Sequence, residues 1–150
     1  MEKYDAFDVA CYIVNSCIDD QLPISNLQLQ KILYYAEAAF LINDKDLFHD
    51  EISAWRYGPV VEEVYYYFKI NANNPIEEKV GQKLFNAIDK KTAQIIDEVV
   101  DVKRRYDAFK LVRMTHEEEP WIDAVNNKMQ YIDKEVMKKY FLSHQNRIFE

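Results

Sequence analysis

Glycine is scarce in this chain, with two residues in 150. This scarcity excludes a P-loop and a dinucleotide-binding fingerprint, because both motifs need several glycines at fixed spacing. The nucleophile elbow GxSxG is missing as well. The chain therefore lacks the local signatures of the common nucleotide-binding proteins and serine hydrolases.

Long apolar runs are also absent. No stretch approaches the roughly 18 apolar residues that a membrane-spanning helix needs, and the start MEKYDAFDVA has no signal-peptide pattern. Cys11 and Cys17 fall on one predicted helix, about 240° apart around its axis, so they do not pair easily. We therefore expect reduced, buried thiols in a cytoplasmic protein that has no membrane partner.

Positive charge is in deficit, with a formal net charge of -7. Such a chain is not a general nucleic-acid binder, because backbone phosphates require a clustered basic face. The basic runs are short and flanked by acids, which favours solvated helix faces; they are Lys90-Lys91, Lys103 to Arg105 and Lys138-Lys139. We expect no direct contact with nucleic acid.

What the chain does have is helical patterning. It predicts a mainly α protein: a compact single-domain helical bundle over residues 1–150, with a small extended or β-hairpin insertion around residues 47–57. Ser25 and Gln28 form a capping box that opens one helix. Further helices are predicted over residues 7–20, 59–70 and 76–88, from a cap at Thr92, from a cap at Asp107 to Met114, and from a cap at Asp133.

One of the glycines stands directly before a proline, at Gly58-Pro59. Proline suits the first position of a helix and disfavours helical geometry in the residue before it, so a helix is predicted to begin at about Pro59. Glu62 and Glu63 would then lie in its first turn, where the helix dipole favours negative charge. The preceding period-two pattern predicts an extended segment that carries three large side chains, Trp55, Arg56 and Tyr57.

The segment His116 to Glu119 is the best candidate for metal chemistry, since imidazole and carboxylates bind zinc and manganese. Its spacing does not match HExxH or a paired-cysteine site. The competing interpretation is a turn in which His116 hydrogen-bonds to backbone and the glutamates cap a helix that begins near Pro120. We favour the turn, and the sequence indicates no cofactor, no metal and no catalytic residue.

Three patches remain unexplained by these arguments: LQKILYYAEAAFL, EISAWRYGPVVEEVY and THEEEPW. Together with the later Tyr140-Phe141 they resemble the Panacea or SocA-like antitoxin domain, which also occurs in phage-associated proteins called GepA. The resemblance runs from about Phe7 to Phe141. Ile32 stands where the family usually has leucine, a harmless change on an apolar stripe. No additional helix-turn-helix or zinc ribbon is evident, so promoter binding through such a module is not expected.

The resemblance implies an antitoxin that binds and neutralises a cognate toxin protein, encoded by an adjacent gene. Carried onto this chain, the motif residues are Lys31, Tyr34, Tyr35, Trp55, Tyr57, Gly58, Pro59, Thr115, His116, Pro120 and Trp121, with Arg56 beside them. We expect Tyr34, Trp55 and Trp121 to be mainly scaffold. Polar ends make Lys31, Arg56, Tyr57 and His116 candidates for partner contact, or else for a buried polar network.

Two alternatives of other kinds stay open at the level of sequence. In the first alternative to an antitoxin, the protein is a phage or mobile-element accessory factor that binds a host protein; in the second, it is a small metal-dependent hydrolase that uses His116 and nearby acids. Neither has a motif of its own in the chain.

Overall fold

In the computed structural model, which describes residues 4–150, helices dominate and one short antiparallel hairpin interrupts them. The mainly α prediction with a small hairpin is thus confirmed. The helices are α1 (Ala6–Asp19), α2 (Asn26–Leu41), α3 (Glu62–Phe68), α4 (Lys90–Lys103), α5 (Ala108–His116), α6 (Glu119–Asn126), α7 (Lys134–Ser143) and α8 (Asn146–Phe149), and the strands are β1 (Ser53–Trp55) and β2 (Gly58–Val60).

Helix α2 lies at the centre of the fold. It packs against α1, α3, α4, α5, α7, α8 and β2, and every residue from Leu29 to Leu41 is buried. The predicted capping box is confirmed: the Gln28 amide donates to Ser25 Oγ over 3.2 Å, and the Ser25 amide donates to Gln28 Oε1 over 2.9 Å. A helix that is buried on all sides must satisfy its polar side chains internally.

The hairpin joins β1 to β2 through a two-residue turn, Arg56-Tyr57, with Ser53 opposite Val60 and Trp55 opposite Gly58. Gly58 has a φ of 103°, which a residue with a Cβ rarely adopts. The predicted helix start at Pro59 is therefore wrong. Pro59 lies in β2, which among residues 4–150 pairs with β1 alone and so tolerates a missing amide proton.

Helix α3 begins instead at Glu62, and Glu62 and Glu63 do lie in its first turn, as expected. After Phe68 the chain makes a 3₁₀ turn over Lys69–Asn71. The insertion predicted around residues 47–57 ends before β2, because Gly58 and Pro59 belong to the second strand of the hairpin rather than to the helix that follows.

The helix predicted over residues 76–88 is also wrong, since this segment contains only the 3₁₀ turn Gln82–Leu84. Its backbone is used for tertiary contacts: the Ile76 amide donates to the Ile24 carbonyl over 2.8 Å, and Val80 exchanges two hydrogen bonds with the Asn15 side chain, each 2.9 Å. Backbone groups engaged in this way are not available for a helix.

Besides Ser25, two of the three predicted helix caps are present. Asp107 and Asp133 cap α5 and α7 as predicted. Thr92 does not cap α4; the cap is Asp89, whose Oδ1 accepts the Thr92 amide over 2.9 Å. Aspartate competes well for this position because its carboxylate also interacts favourably with the helix dipole.

The prediction that the basic run Lys103 to Arg105 is solvated is wrong at Lys103, which is fully buried. Its ammonium group donates to the Arg147 carbonyl over 2.6 Å and lies 4.3 Å from the centre of the Tyr35 ring. Burial lowers the pKa of Lys103 to about 8.

Cys11 and Cys17 are buried and unpaired, as expected. Within residues 4–150 no helix has the length and apolar character to cross a bilayer.

The two glycines provide a matched test of the hairpin. We predict that Gly58→Ala lowers the free energy of unfolding by about 2–4 kcal/mol, because the new Cβ would lie 2.7 Å from Thr115 Oγ1 and 3.0 Å from Lys31 Cε at a positive φ. Gly81→Ala meets no atom within 4 Å and should change stability by no more than about 0.5 kcal/mol. Urea unfolding of both variants measures this, and equal stability of the two would contradict it.

Candidate partner-binding site

The turn of the hairpin is held through its backbone oxygens by α5 and α6. The Trp121 indole N–H donates to the Trp55 carbonyl over 2.8 Å, and His116 Nε2 lies 3.0 Å from the Arg56 carbonyl, to which it donates as the Nε2–H tautomer. The His116 and Trp121 rings stack with their centres 4.0 Å apart. The predicted backbone contact of His116 is therefore confirmed, and the THEEEPW segment clamps the turn.

A second anchor comes from α2. Lys31 is fully buried, and its ammonium group donates to the Pro59 carbonyl over 3.0 Å. Burial lowers the pKa of Lys31 to about 7. Thr115 is buried beside it and donates to the Val112 carbonyl over 2.8 Å. Gly58 fits between Lys31 and Thr115 because it has no side chain.

Glu118 organises a third set of contacts. Its carboxylate accepts the Tyr34 hydroxyl over 3.0 Å, the Tyr35 hydroxyl over 2.7 Å and the Arg147 Nε–H over 3.0 Å. Burial raises the pKa of Glu118, while these donors oppose the increase. Pro120 is buried in the first turn of α6, two residues after Glu118. The network joins α2, the start of α6 and α8.

Glu118 and Arg147 are the members of this network that sequence reasoning missed. A run of glutamates before a proline is typical of helix capping, and nothing in this run distinguishes the buried Glu118 from its exposed neighbours, Glu117 and Glu119. Arg147 has no local signal, because its role depends on α8 folding back onto the other helices. Glu37 was also missed, although a single acid within the apolar run AEAAF does indicate a buried partner. That partner is Lys134, at 2.7 Å.

Outside these anchors, the hairpin turn presents its side chains to solvent. Arg56 and Tyr57 are exposed and Trp55 is half-buried. Trp55 and Tyr57 line a groove of about 520 Å³, whose other walls include Tyr65, Lys69 and Phe109. We call this the aromatic groove. Of the motif residues, it contains Trp55 and Tyr57, whereas Lys31, Tyr34, Tyr35, Thr115 and Pro120 lie in the interior.

The metal interpretation of the His116 segment finds no support in its surroundings. Within residues 4–150, the group of histidine and acidic side chains close enough to share an ion is Asp5, His49 and Asp50. Both acids of this group already interact with the start of α1: Asp5 forms its capping box, and Asp50 accepts the Ala6 amide over 2.8 Å. A helix N-terminus favours negative charge and disfavours a cation.

Comparisons with known proteins agree on one family. The family model described as "Antitoxin SocA-like, Panacea domain" matches residues 29–122, a span that contains every motif residue named above. Antitoxin SocA of Caulobacter vibrioides (strain NA1000 / CB15N) is 31% identical over an alignment of 137 residues, which covers 84% of this chain and 72% of that protein. No solved structure matched the chain.

The buried ammonium group of Lys31 predicts a pH-dependent contribution to stability. Its pKa is about 7 in the folded protein against 10.5 for the ordinary group, so between these values the unfolded chain binds more protons and stability rises with pH. Relative to Lys31→Met, the wild-type protein should gain about 2–3 kcal/mol from pH 6 to pH 9. Urea unfolding at several pH values measures the difference.

The exposed Lys45 supplies the control for that experiment. Lys45→Met removes the same charge without removing a buried group. If the stability of Lys31→Met runs parallel to that of the wild type across this pH range, Lys31 is not the source of the dependence.

Proposed function

Because the chain belongs to the SocA-like antitoxin family that carries the Panacea domain, we propose that it neutralises a toxin protein by binding it directly. The observation that carries this proposal is its 31% identity to an antitoxin over 84% of its length. The toxin is encoded by a neighbouring gene, and the complex forms in the cytoplasm, where the free thiols of Cys11 and Cys17 stay reduced.

The division of the motif residues supports binding rather than catalysis. The ionisable groups of the motif are engaged in holding the fold: Lys31 binds the Pro59 carbonyl, and the tyrosines of α2 bind Glu118. A general acid or base needs access to a substrate, and these groups are buried. The side chains that reach solvent beside them are large, Arg56 and Tyr57, of types common in protein interfaces.

Co-expression with the adjacent gene tests this function. We expect that gene alone to stop growth, and the pair to restore it. A tagged copy of the wild-type protein should retain the gene product on affinity capture, because neutralisation by occlusion requires a stable complex.

The glycine pair supplies matched variants for the same assay. Gly58→Ala should weaken both rescue and capture, because it displaces the hairpin from Lys31 and Thr115, whereas Gly81→Ala should preserve both. A neighbouring gene product that is neither toxic nor retained by the wild-type protein would refute the proposed function.

A further inference from the structure

The walls of the aromatic groove carry three side-chain hydrogen-bond donors. Within residues 4–150, the Trp55 indole N–H and the hydroxyls of Tyr57 and Tyr65 make no hydrogen bond. Elsewhere in the protein, tyrosine hydroxyls bind carboxylates: Tyr12 donates to Asp97 over 2.7 Å, and Tyr35 donates to Glu118 over 2.7 Å. Among the described residues, the groove therefore offers donors that suit a carboxylate and contains no carboxylate to accept from them.

The charge around the groove has the opposite sign to that of the whole protein. Among the described residues no acid lines it, and Lys69 forms part of its wall, although the chain carries a formal net charge of -7. The Arg56 guanidinium lies 5.7 Å from the centre of the Tyr57 ring. Neither cation has a carboxylate partner among the described residues. Asp107, two residues before Phe109, is occupied in capping α5 through the Lys110 amide.

The walls of the groove are held in place before any partner arrives. The Trp55 ring contacts the Tyr65 ring edge to face, with centres 5.0 Å apart. Asn26 on α2 donates to the Tyr65 carbonyl over 3.0 Å, and Trp121 holds the Trp55 carbonyl. Rigid aromatic side chains lose little conformational freedom on binding, so their contact area contributes efficiently to affinity.

Two aromatic side chains at the rim are largely exposed to solvent, Phe109 at 63% and Tyr57 at 52%. The volume of about 520 Å³ lies in the range of pockets that enclose a compact ligand or a few anchoring side chains. An apolar anchor would cover both rings, and a neighbouring carboxylate would satisfy the donors and the cations.

We propose that the aromatic groove binds a segment of the toxin in which an aromatic or large aliphatic side chain lies next to an aspartate or glutamate. This inference rests on the proposed function and adds the surface and the chemistry of recognition. The apolar side chain packs between Tyr57 and Phe109. The acidic side chain accepts hydrogen bonds from the groove and pairs with Lys69 or Arg56.

Calorimetry with the purified product of the adjacent gene tests the apolar part. Tyr57→Ser and Phe109→Ser change exposed side chains, so the fold should be retained, which circular dichroism verifies. Each should raise the Kd at least about tenfold. Leu84→Ser and Leu142→Ser serve as controls, since these leucines are exposed at 60% and 46% and lie outside the groove; they should change the Kd by less than about twofold.

Association kinetics test the acidic part. Lys69→Glu should slow association, and its effect should shrink as salt is added, because electrostatic steering is screened. Lys139→Glu, an exposed position on α7, makes the same charge change away from the groove. Equal association rates for the two variants would overturn the assignment of an acidic partner segment.

The outcomes separate this inference from the proposed function. Suppose that the wild-type protein binds the gene product and that the Kd values of Tyr57→Ser and Phe109→Ser lie within about twofold of the wild-type value. The antitoxin function then holds, and the groove is not the docking site. Loss of binding in Leu84→Ser alone likewise overturns the assignment. If sedimentation shows a dimer that Phe109→Ser converts to a monomer with toxin affinity unchanged, the groove binds a second copy of this chain instead. If the wild-type protein does not bind, the proposed function fails and the inference fails with it.

Discussion

The burial of α2 from Leu29 to Leu41 is the constraint on which the rest of the fold depends. A helix enclosed on every side has no water to satisfy its polar side chains, so each must find a partner on another element. Gln30 accepts the Val61 amide at the start of α3 over 2.9 Å, and Lys31 binds β2. Tyr34 and Tyr35 bind Glu118, and Glu37 binds Lys134 on α7 and the Leu47 amide. The polar residues of α2 thus fix the positions of the elements around it.

This arrangement favours one packing over its alternatives at some cost in stability. A buried lysine without a carboxylate partner makes the folded protein less stable than an apolar residue of similar volume would. The lowered pKa of Lys31 reflects this cost of burying its charge. Lys31 fixes the position of the Pro59 carbonyl through its hydrogen bond. An apolar side chain would fill the same space without fixing that position. The hairpin has only two short strands, and an isolated hairpin of that size is marginally stable in water.

The sequence predicted those features that depend on neighbours along the chain. The capping box at Ser25, the caps at Asp107 and Asp133 and the burial of the cysteines are of this kind. The sequence-based prediction failed where a tertiary contact overrides a local preference. Pro59 suits a helix start but lies in a strand. The backbone of residues 76–88 forms hydrogen bonds to Asn15 on α1 and to Ile24, just before α2. The clamp formed by His116 was partly predictable, whereas Glu118 and Arg147 meet only after distant helices pack.

The hairpin turn is held by oxygens of the main chain, those of Trp55, Arg56 and Pro59, rather than by its side chains. A main-chain oxygen is present whatever amino acid occupies the position. The residues at the tip are therefore free to diverge without loosening the clamp beneath them. Substitutions at positions 56 and 57 can therefore change what the turn recognises while the hydrogen bonds that hold the hairpin stay the same.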